Sequence, residues 1–480
     1  MKYIYSIIIL ALSFSSCADW LDVEPKVNTK EEKIFNSEQG FKEALTGIYI
    51  KLTTPALYGK ELTYGFIDQL AQRYVSPVQP TVKNNFSSPT FYNFKRSSVL
   101  TETYTNNIWG QSYNIVANIN NLIANIESRG DVIATNGLKD IIHGEALGLR
   151  AFIHFDLLRM FGPFYKSNSK SPSIPYRLLF NRDTRTLLTA EQVVDLVLAD
   201  LKKAEELLKN DAMSITYPSN TESFSHANFL SRRSKRMNKY AVKALMARVY
   251  MYKGDKALAK EKANEVINAK REDGTSIFQF VVDNSKDHLL SKELIFAISM
   301  DSKNFQTTIM QSFLLSQFSN TNAGSKERVN EIFDTKVDGT NDIRMREAGG
   351  FNITNLFCAT KKYQQDNYSE SLNNTIPLIR LAEMYYIASE ATDDLTESAK
   401  ILSNVRKARA LDVIDSFSNE QDKEFNIEKE YRKEFYAEGQ LWYYYKRKES
   451  KKFQFSPIKD MKEEHYRFSL PDDEITFGNL

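Results

Sequence analysis

The sequence predicts a mainly α protein, a tetratricopeptide-like helical repeat scaffold with long loops and a small irregular insert. Three observations lead there. From Asn238 to Ile267, Ala244, Ala247 and Tyr250 precede Gly254-Asp255, and Ala257, Ala263 and Val266 follow; small residues let two helices approach closely while the glycine takes the turn. From Ile376 to Ala391, IPLIRLAEMYYIASEA sets Leu378, Leu381, Tyr385 and Ala388 at helical spacing with Pro377 in the first turn, and Arg380, Glu383 and Glu390 are free to leave the apolar face. A second helix, Leu395 to Ala410, turns Ala399, Leu402 and Val405 inward, so Thr392 to Asp394 closes an antiparallel hairpin. Finally, Leu57 to Thr105 is rich in Pro, Asn, Ser and aromatics and reads as long ordered loops of the kind that carry function on a rigid scaffold.

The elements follow in chain order. Residues 1–16, MKYIYSIIILALSFSS, join one lysine to an apolar run too short to span a bilayer, the pattern of an export signal. Ser15 and Ser16 precede Cys17 as in the lipobox of bacterial lipoproteins, where the thiol is acylated; Phe14 stands where Leu or Val is more usual. Residues 17–36 form an acidic tether with Asp19, Asp22 and Glu24. Residues 37–480 are expected to make a single α-helical domain. Ser37 caps a helix carrying Phe41, Ala44, Leu45, Ile48 and Tyr49. Trp109 begins a helix with Tyr113, Val116, Ile119, Leu122 and Ile126 on one stripe, and Leu138 to Phe161 is apolar nearly all round before Gly162-Pro163 stops it. Helical hairpins are expected at about 109–161, 190–267 and 376–410, and a loop-rich insert at about 277–375 holds the β-type runs FQFVV and LIFAISM with aromatics expected to be exposed at Phe305, Phe313 and Phe318. Ile427 to Arg447 reads as a last long helix.

Several of these stretches resemble one family. IPLIRLAEMYYIASEA with LSNVRKARA, the element from Trp109, ALGLRAFIHFDLLRMFGP with Arg150 and Arg159 as pairing groups at a buried edge, and IEKEYRKEFYAEGQLWYYYKR occur in the order found in the SusD/RagB proteins. In the last of them Gln440 replaces the usual Arg, and Tyr443 to Tyr445 replace an aspartate-containing run. The resemblance implies a SusD-like fold on a lipoprotein anchored in the outer membrane and facing the cell exterior, where the acidic tether routes it. It also implies a partner, a SusC-like TonB-dependent transporter, to which the protein delivers a captured nutrient, a glycan or oligosaccharide first. The alternatives are capture of peptides as in RagB, or a tetratricopeptide-type protein scaffold without a nutrient ligand.

Composition narrows the chemistry. The 63 basic and 61 acidic residues nearly cancel, so no global field favours nucleic acid. Cys358 is the only cysteine besides Cys17, so a lipidated chain forms no internal disulfide and the core supplies the stability. The five histidines fall in no zinc-binding spacing, and Asp334 to Asp342 fails as a calcium loop because Lys336 occupies a ligand position and Met345 the place of the closing Glu. No phosphate-cradling glycine loop, nucleophile elbow or placed carboxylate pair stands out, so no enzyme activity, cofactor or metal is expected.

Aromatics stand out, with 30 Phe, 25 Tyr and three Trp. A sugar ring offers one C–H face and a rim of hydroxyls, so its site needs an exposed aromatic with amides beside it. Helix-borne rings are needed for packing, which leaves loop residues: Tyr74, Phe91 and Tyr92 with Asn84 or Asn93, and Phe318 with Asn320 as a second wall. The competing reading is that these rings pin the loops to the scaffold.

Overall fold

The computed structural model describes residues 33–74, 99–181, 183, 186–211, 229–313, 323–355, 357–364 and 373–477. The signal stretch, Cys17 and most of the tether lie outside the described residues, as do Asn84, Phe91, Tyr92, Asn93, Phe318 and Asn320.

Helix α1 (Glu38–Leu52) starts where Ser37 Oγ accepts the Gly40 N–H at 3.2 Å. After a run of turns and the short α2 (Phe66–Leu70), α3 (Val99–Arg129) and α4 (Leu138–Phe161) form a hairpin. The start of α3 ten residues before Trp109 places the end of the expected loop stretch in helix. Helix α4 is buried on every side, and its glycines explain how: a Cβ at Gly144 would stand 2.6 Å from Leu208 Cγ, and one at Gly148 2.6 Å from Met237 Cγ. A capping box of Thr189 and Gln192 opens α5 (Ala190–Leu207). Arg150 of α4 grips Asp200 of α5 through Nε and Nη2, both at 2.7 Å, and Arg159 pairs with Asp156, so both arginines pair at a buried edge as expected.

The hairpin of α6 (Lys239–Lys253) and α7 (Lys256–Ile267) forms as the sequence predicts, with Asn238 accepting the Tyr240 and Ala241 N–H groups and Gly254 turning at φ +88°. The insert holds β1 (Leu294–Ser299), a π-helical turn (Phe305–Met310), β2 (Gly324–Ser325), α8 (Lys326–Ile332), β3 (Phe351–Ile353), β4 (Phe357–Thr360) and β5 (Thr375–Arg380). Strands β1 and β5 pair antiparallel, and β2, β4 and β3 make a second small sheet in that order. Then come α9 (Leu381–Ala391) and α10 (Leu395–Ala408), α11 (Glu420–Glu434) and α12 (Gln440–Arg447). Helix α9 packs on α7, and Arg248 of α6 holds Glu383 of α9 with two 2.6 Å bonds.

Four expectations are corrected. The helix expected from Ile376 begins at Leu381, because Thr375–Arg380 is a strand with Ile376 opposite Ile298 and Pro377 opposite Ala297. A short, fully buried apolar run suits a strand as well as a helix, and the LIFAIS partner decides it. Arg380, Glu383 and Glu390 do not reach solvent; each is buried against a charged partner. The run FQFVV forms no strand. The helix expected over Ile427 to Arg447 breaks after Glu434 into a turn with Ala437 at φ +65° and Gly439 at φ +74°.

Candidate functional site

That turn, residues 435–439, is the centre on which the site is built. Its entry is fixed by Glu434, whose carboxylate accepts from Arg380 Nη1 at 2.5 Å, Arg409 Nη2 at 2.8 Å and Nε at 3.0 Å, and Arg344 Nη1 at 2.8 Å. Burial pushes this carboxyl up, but Arg409, Arg380 and Arg344 overcome it and hold it well below the ordinary range. The guanidiniums are themselves shared, Arg409 with Glu293, Arg380 with Glu438, and Arg344 with Asp342 and Glu430. Burial opposes the ionised Glu430 too, yet Arg344, Lys433 and Arg406 bring it down to about 2.

The other side of the turn is fixed by α2. Asp68, fully buried, accepts the Ala437 N–H at 3.1 Å, the Gly439 N–H at 3.0 Å and the Tyr74 hydroxyl at 2.5 Å, and it pairs with Arg73. Burial, against Arg73, Tyr74 and the two amides, leaves its pKa raised. Arg73 donates on to Arg432 O at 3.2 Å and Phe435 O at 2.9 Å. Gly439 is required twice over: its φ is left-handed, and a Cβ there would stand 2.6 Å from Ile67 Cγ2 and 2.8 Å from two backbone oxygens.

On this frame lies a floor of aromatic rings. Tyr363 donates to Ala437 O at 2.8 Å, stacks on Phe313 at 5.6 Å between centroids, and meets Tyr64 at 5.9 Å and Phe305 at 6.4 Å. Tyr436 meets Tyr74 at 5.2 Å and Phe351 at 5.1 Å, both edge-on. Tyr74, Phe313 and Tyr363 bring three distant segments of chain to these rings, all of them buried, and a Cβ at Gly324 would stand 3.2 Å from the Tyr436 hydroxyl. Beside Phe305 and Phe313, the π-helical turn and its flanks expose Asn304, Gln306, Thr307 and Gln311, a band of amide and hydroxyl groups.

Among the site residues proposed from sequence, Tyr74 is corrected: at 4% exposure, with its hydroxyl on Asp68 and its ring against Tyr436, it offers no open face to a ligand. Burial, then Asp68, pushes its phenol pKa well up. Phe305 and Phe313 are likewise buried rather than exposed. Phe91, Tyr92, Asn84, Asn93, Phe318 and Asn320 lie outside the described residues. Sequence reasoning missed Asp68, Tyr363 and the role of the 435–439 turn. Glu438-Gly439, quoted for the family resemblance, was the available signal, because a glycine after a helical run marks a break.

Two small pockets, about 30 Å³ among Arg159, Arg248, Tyr252 and Tyr443 and about 20 Å³ beside Phe351 and Tyr436, are too small for a sugar ring. A groove of about 610 Å³ runs along Lys42, Thr46, Ile50 and Phe229. Among the described residues no group of His, Cys, Asp and Glu is placed to hold a metal ion, and no helix is long and apolar enough to cross a membrane.

Comparison with known proteins agrees with this architecture from end to end. Residues 19–251 match a family model described as starch-binding, associating with outer membrane, and residues 294–475 match the SusD family model. The SusD-like protein P38 of Formosa agariphila is 24% identical over 485 aligned residues, covering 89% of this chain and 87% of that one. SusD-like protein P2 of the same organism is also 24% identical, but the match spans 56% of this chain and only 46% of P2. A SusD superfamily protein from Bacteroides thetaiotaomicron superposes over 92% of this chain and 98% of its own, at a TM-score of 0.68 and 20% identity. A SusD-like carbohydrate binding protein from Bacteroides vulgatus does so over 92% and 96%, at 0.66 and 16%. With both halves matched in order and the helical scaffold shared, this chain belongs to the SusD family.

Proposed function

We propose that the protein is a cell-surface lipoprotein, acylated at Cys17, that binds a glycan or oligosaccharide and delivers it to a SusC-like TonB-dependent transporter, without itself performing chemistry. The observation that carries this reading is the floor. Tyr74, Phe313 and Tyr363, from three distant segments, pack in buried aromatic clusters against the 435–439 turn that Asp68 and Glu434 fix, and in the sequence residues 75–98, 314–322 and 365–372 follow these segments. Two of these stretches hold the aromatic and amide residues suited to sugar rings, Phe91 and Tyr92 with Asn84 or Asn93, and Phe318 with Asn320. The exposed amides of Asn304, Gln306 and Gln311 add hydrogen-bonding groups beside Phe305 and Phe313. Family membership supports the transporter and the outer membrane as the setting, and a lipid at Cys17 supplies the anchor that the described helices do not.

Two measurements test the reading. Tyr92→Ala and Phe318→Ala should each weaken glycan binding by roughly 1 to 3 kcal/mol, by analogy with bases stacked on aromatics, with little change in melting temperature. A fall in melting with unchanged affinity would show that these rings pack the loops instead. Pull-down from mild detergent extracts should recover a TonB-dependent barrel in near-equal amount, and its absence would count against delivery.

A further inference from the structure

The loop after α4 presents apolar side chains on a backbone held from below. Leu178, Leu179 and Phe180 are 45%, 59% and 53% exposed, three large apolar residues in a row. Such a run is costly in water and marks an interaction surface. The loop is nevertheless anchored. Asn120 Nδ2 of α3 donates to Arg177 O at 3.0 Å and Leu179 O at 3.4 Å, Arg150 Nη1 reaches Leu178 O at 3.4 Å, and the Arg177 N–H donates to His154 Nε2 at 3.1 Å. Arg150 and Asn120 are buried and joined to each other at 2.9 Å, so the core itself clamps the loop. The Arg177 guanidinium bonds to the carbonyl oxygens of Asn181 and Asp183 and to the side-chain oxygen of Asn181, whose amide donates in turn to the Asp183 carboxylate at 2.6 Å. The surrounding sequence, RLLFNRDTR, carries three arginines to one aspartate.

The geometry points to the occupant. We infer that Leu178, Leu179 and Phe180 dip into the bilayer to which the chain is tethered, with Arg177 meeting phosphate-bearing lipid headgroups. This inference rests on the reading of Cys17 as the lipid anchor. Glu38 of α1 accepts from the Thr135 N–H and hydroxyl at 2.9 and 2.8 Å, so α1 starts beside the α3–α4 turn. The clamp residue Asn120 lies ten residues before Gly130 at that turn, about 15 Å along the helix axis. The fifteen residues 18–32 span at most about 50 Å when extended, ample for the loop and the acyl chains to share one membrane. Ile34 and Val132, 46% and 41% exposed, add apolar surface near the start of α1. An apolar tip beside cationic residues is the composition by which a protein segment settles at an anionic lipid interface.

The test uses the full mature chain carrying Cys17→Ser, so that no lipid contributes, and vesicles of phosphatidylcholine with or without 30 mol% (about a third) phosphatidylglycerol. Co-sedimentation should favour the anionic vesicles by about tenfold, and Leu179→Ser with Phe180→Ser should lose about tenfold of it. Phe425→Ser, at an exposed ring elsewhere, should change nothing, and melting should be unaltered in every variant because these side chains are exposed. Absence of vesicle binding by the parent chain, or binding untouched by the double variant, overturns the inference. So does a double variant that only loses a co-purifying barrel, which would make the loop a protein contact. Release of Cys17→Ala protein from cell membranes tests the anchor separately, so a failure of the one is not mistaken for a failure of the other.

Discussion

Replacing Glu434 by Gln isolates the charge that holds the floor. The carboxylate takes four hydrogen bonds of 2.5 to 3.0 Å from three buried guanidiniums. Glutamine keeps one acceptor oxygen and turns an N–H₂ toward the other pair, so two charge-assisted bonds are lost, each worth about 1.5 to 3 kcal/mol. The loss is limited because Arg409 retains Glu293, Arg380 retains Glu438, and Arg344 retains Asp342 and Glu430. The net expectation is about 3 to 5 kcal/mol, the range for removing one partner from a buried pair. Urea unfolding followed by far-ultraviolet circular dichroism reads this directly, as a lower midpoint with an unchanged slope. A loss under about 1 kcal/mol would refute the claim that this network carries the turn, since that is the size expected of exposed pairs.

Other outcomes follow from the same contacts. Glu430 is held at about 2 in the fold, while an unfolded glutamate titrates near 4.3, so the unfolded state takes up its proton first as pH falls; stability should be full above about pH 4.5 and decline toward pH 2, and a flat profile of urea midpoints over that window would contradict it. Gly439→Ala should cost about 2 to 4 kcal/mol by combining left-handed strain with overpacking against Ile67, and should weaken glycan binding through the floor; an unchanged midpoint in urea would show that the turn relaxes freely. Cys17→Ala should release the protein from membranes in cell fractionation, because the acyl chains supply about 0.8 kcal/mol per buried methylene. Replacing Asp19, Asp22 and Glu24 by Ala should leave the lipid in place but reduce protease access on intact cells.

Periodicity and small residues made the scaffold legible. Gly254 does in the fold what its chemistry suggests, turning at φ +88° between two helices. The Thr375–Arg380 strand was not legible, because its partner lies eighty residues away and an apolar run fits either state. The buried charges escaped for a related reason: Arg380 and Glu383 look like solvent-facing residues until Glu434, Glu438 and Arg248 are brought to them from distant segments. Of the site, sequence reasoning misjudged Tyr74, since an aromatic in a loop carries no mark of the aspartate six residues earlier that draws it inward. The floor itself joins Tyr64, Phe313, Tyr363 and Tyr436, which no local pattern connects.

The central claim is that this SusD-family chain captures a glycan, with Tyr92 and Phe318 among the residues that hold it. Calorimetric titration of the purified protein against a panel of oligosaccharides, polysaccharides and peptides tests it most directly. Saturable binding of at least one glycan, weakened when Tyr92 and Phe318 are both replaced by Ala, is the predicted result. Saturable binding of peptides alone, or glycan binding indifferent to both substitutions, would contradict it.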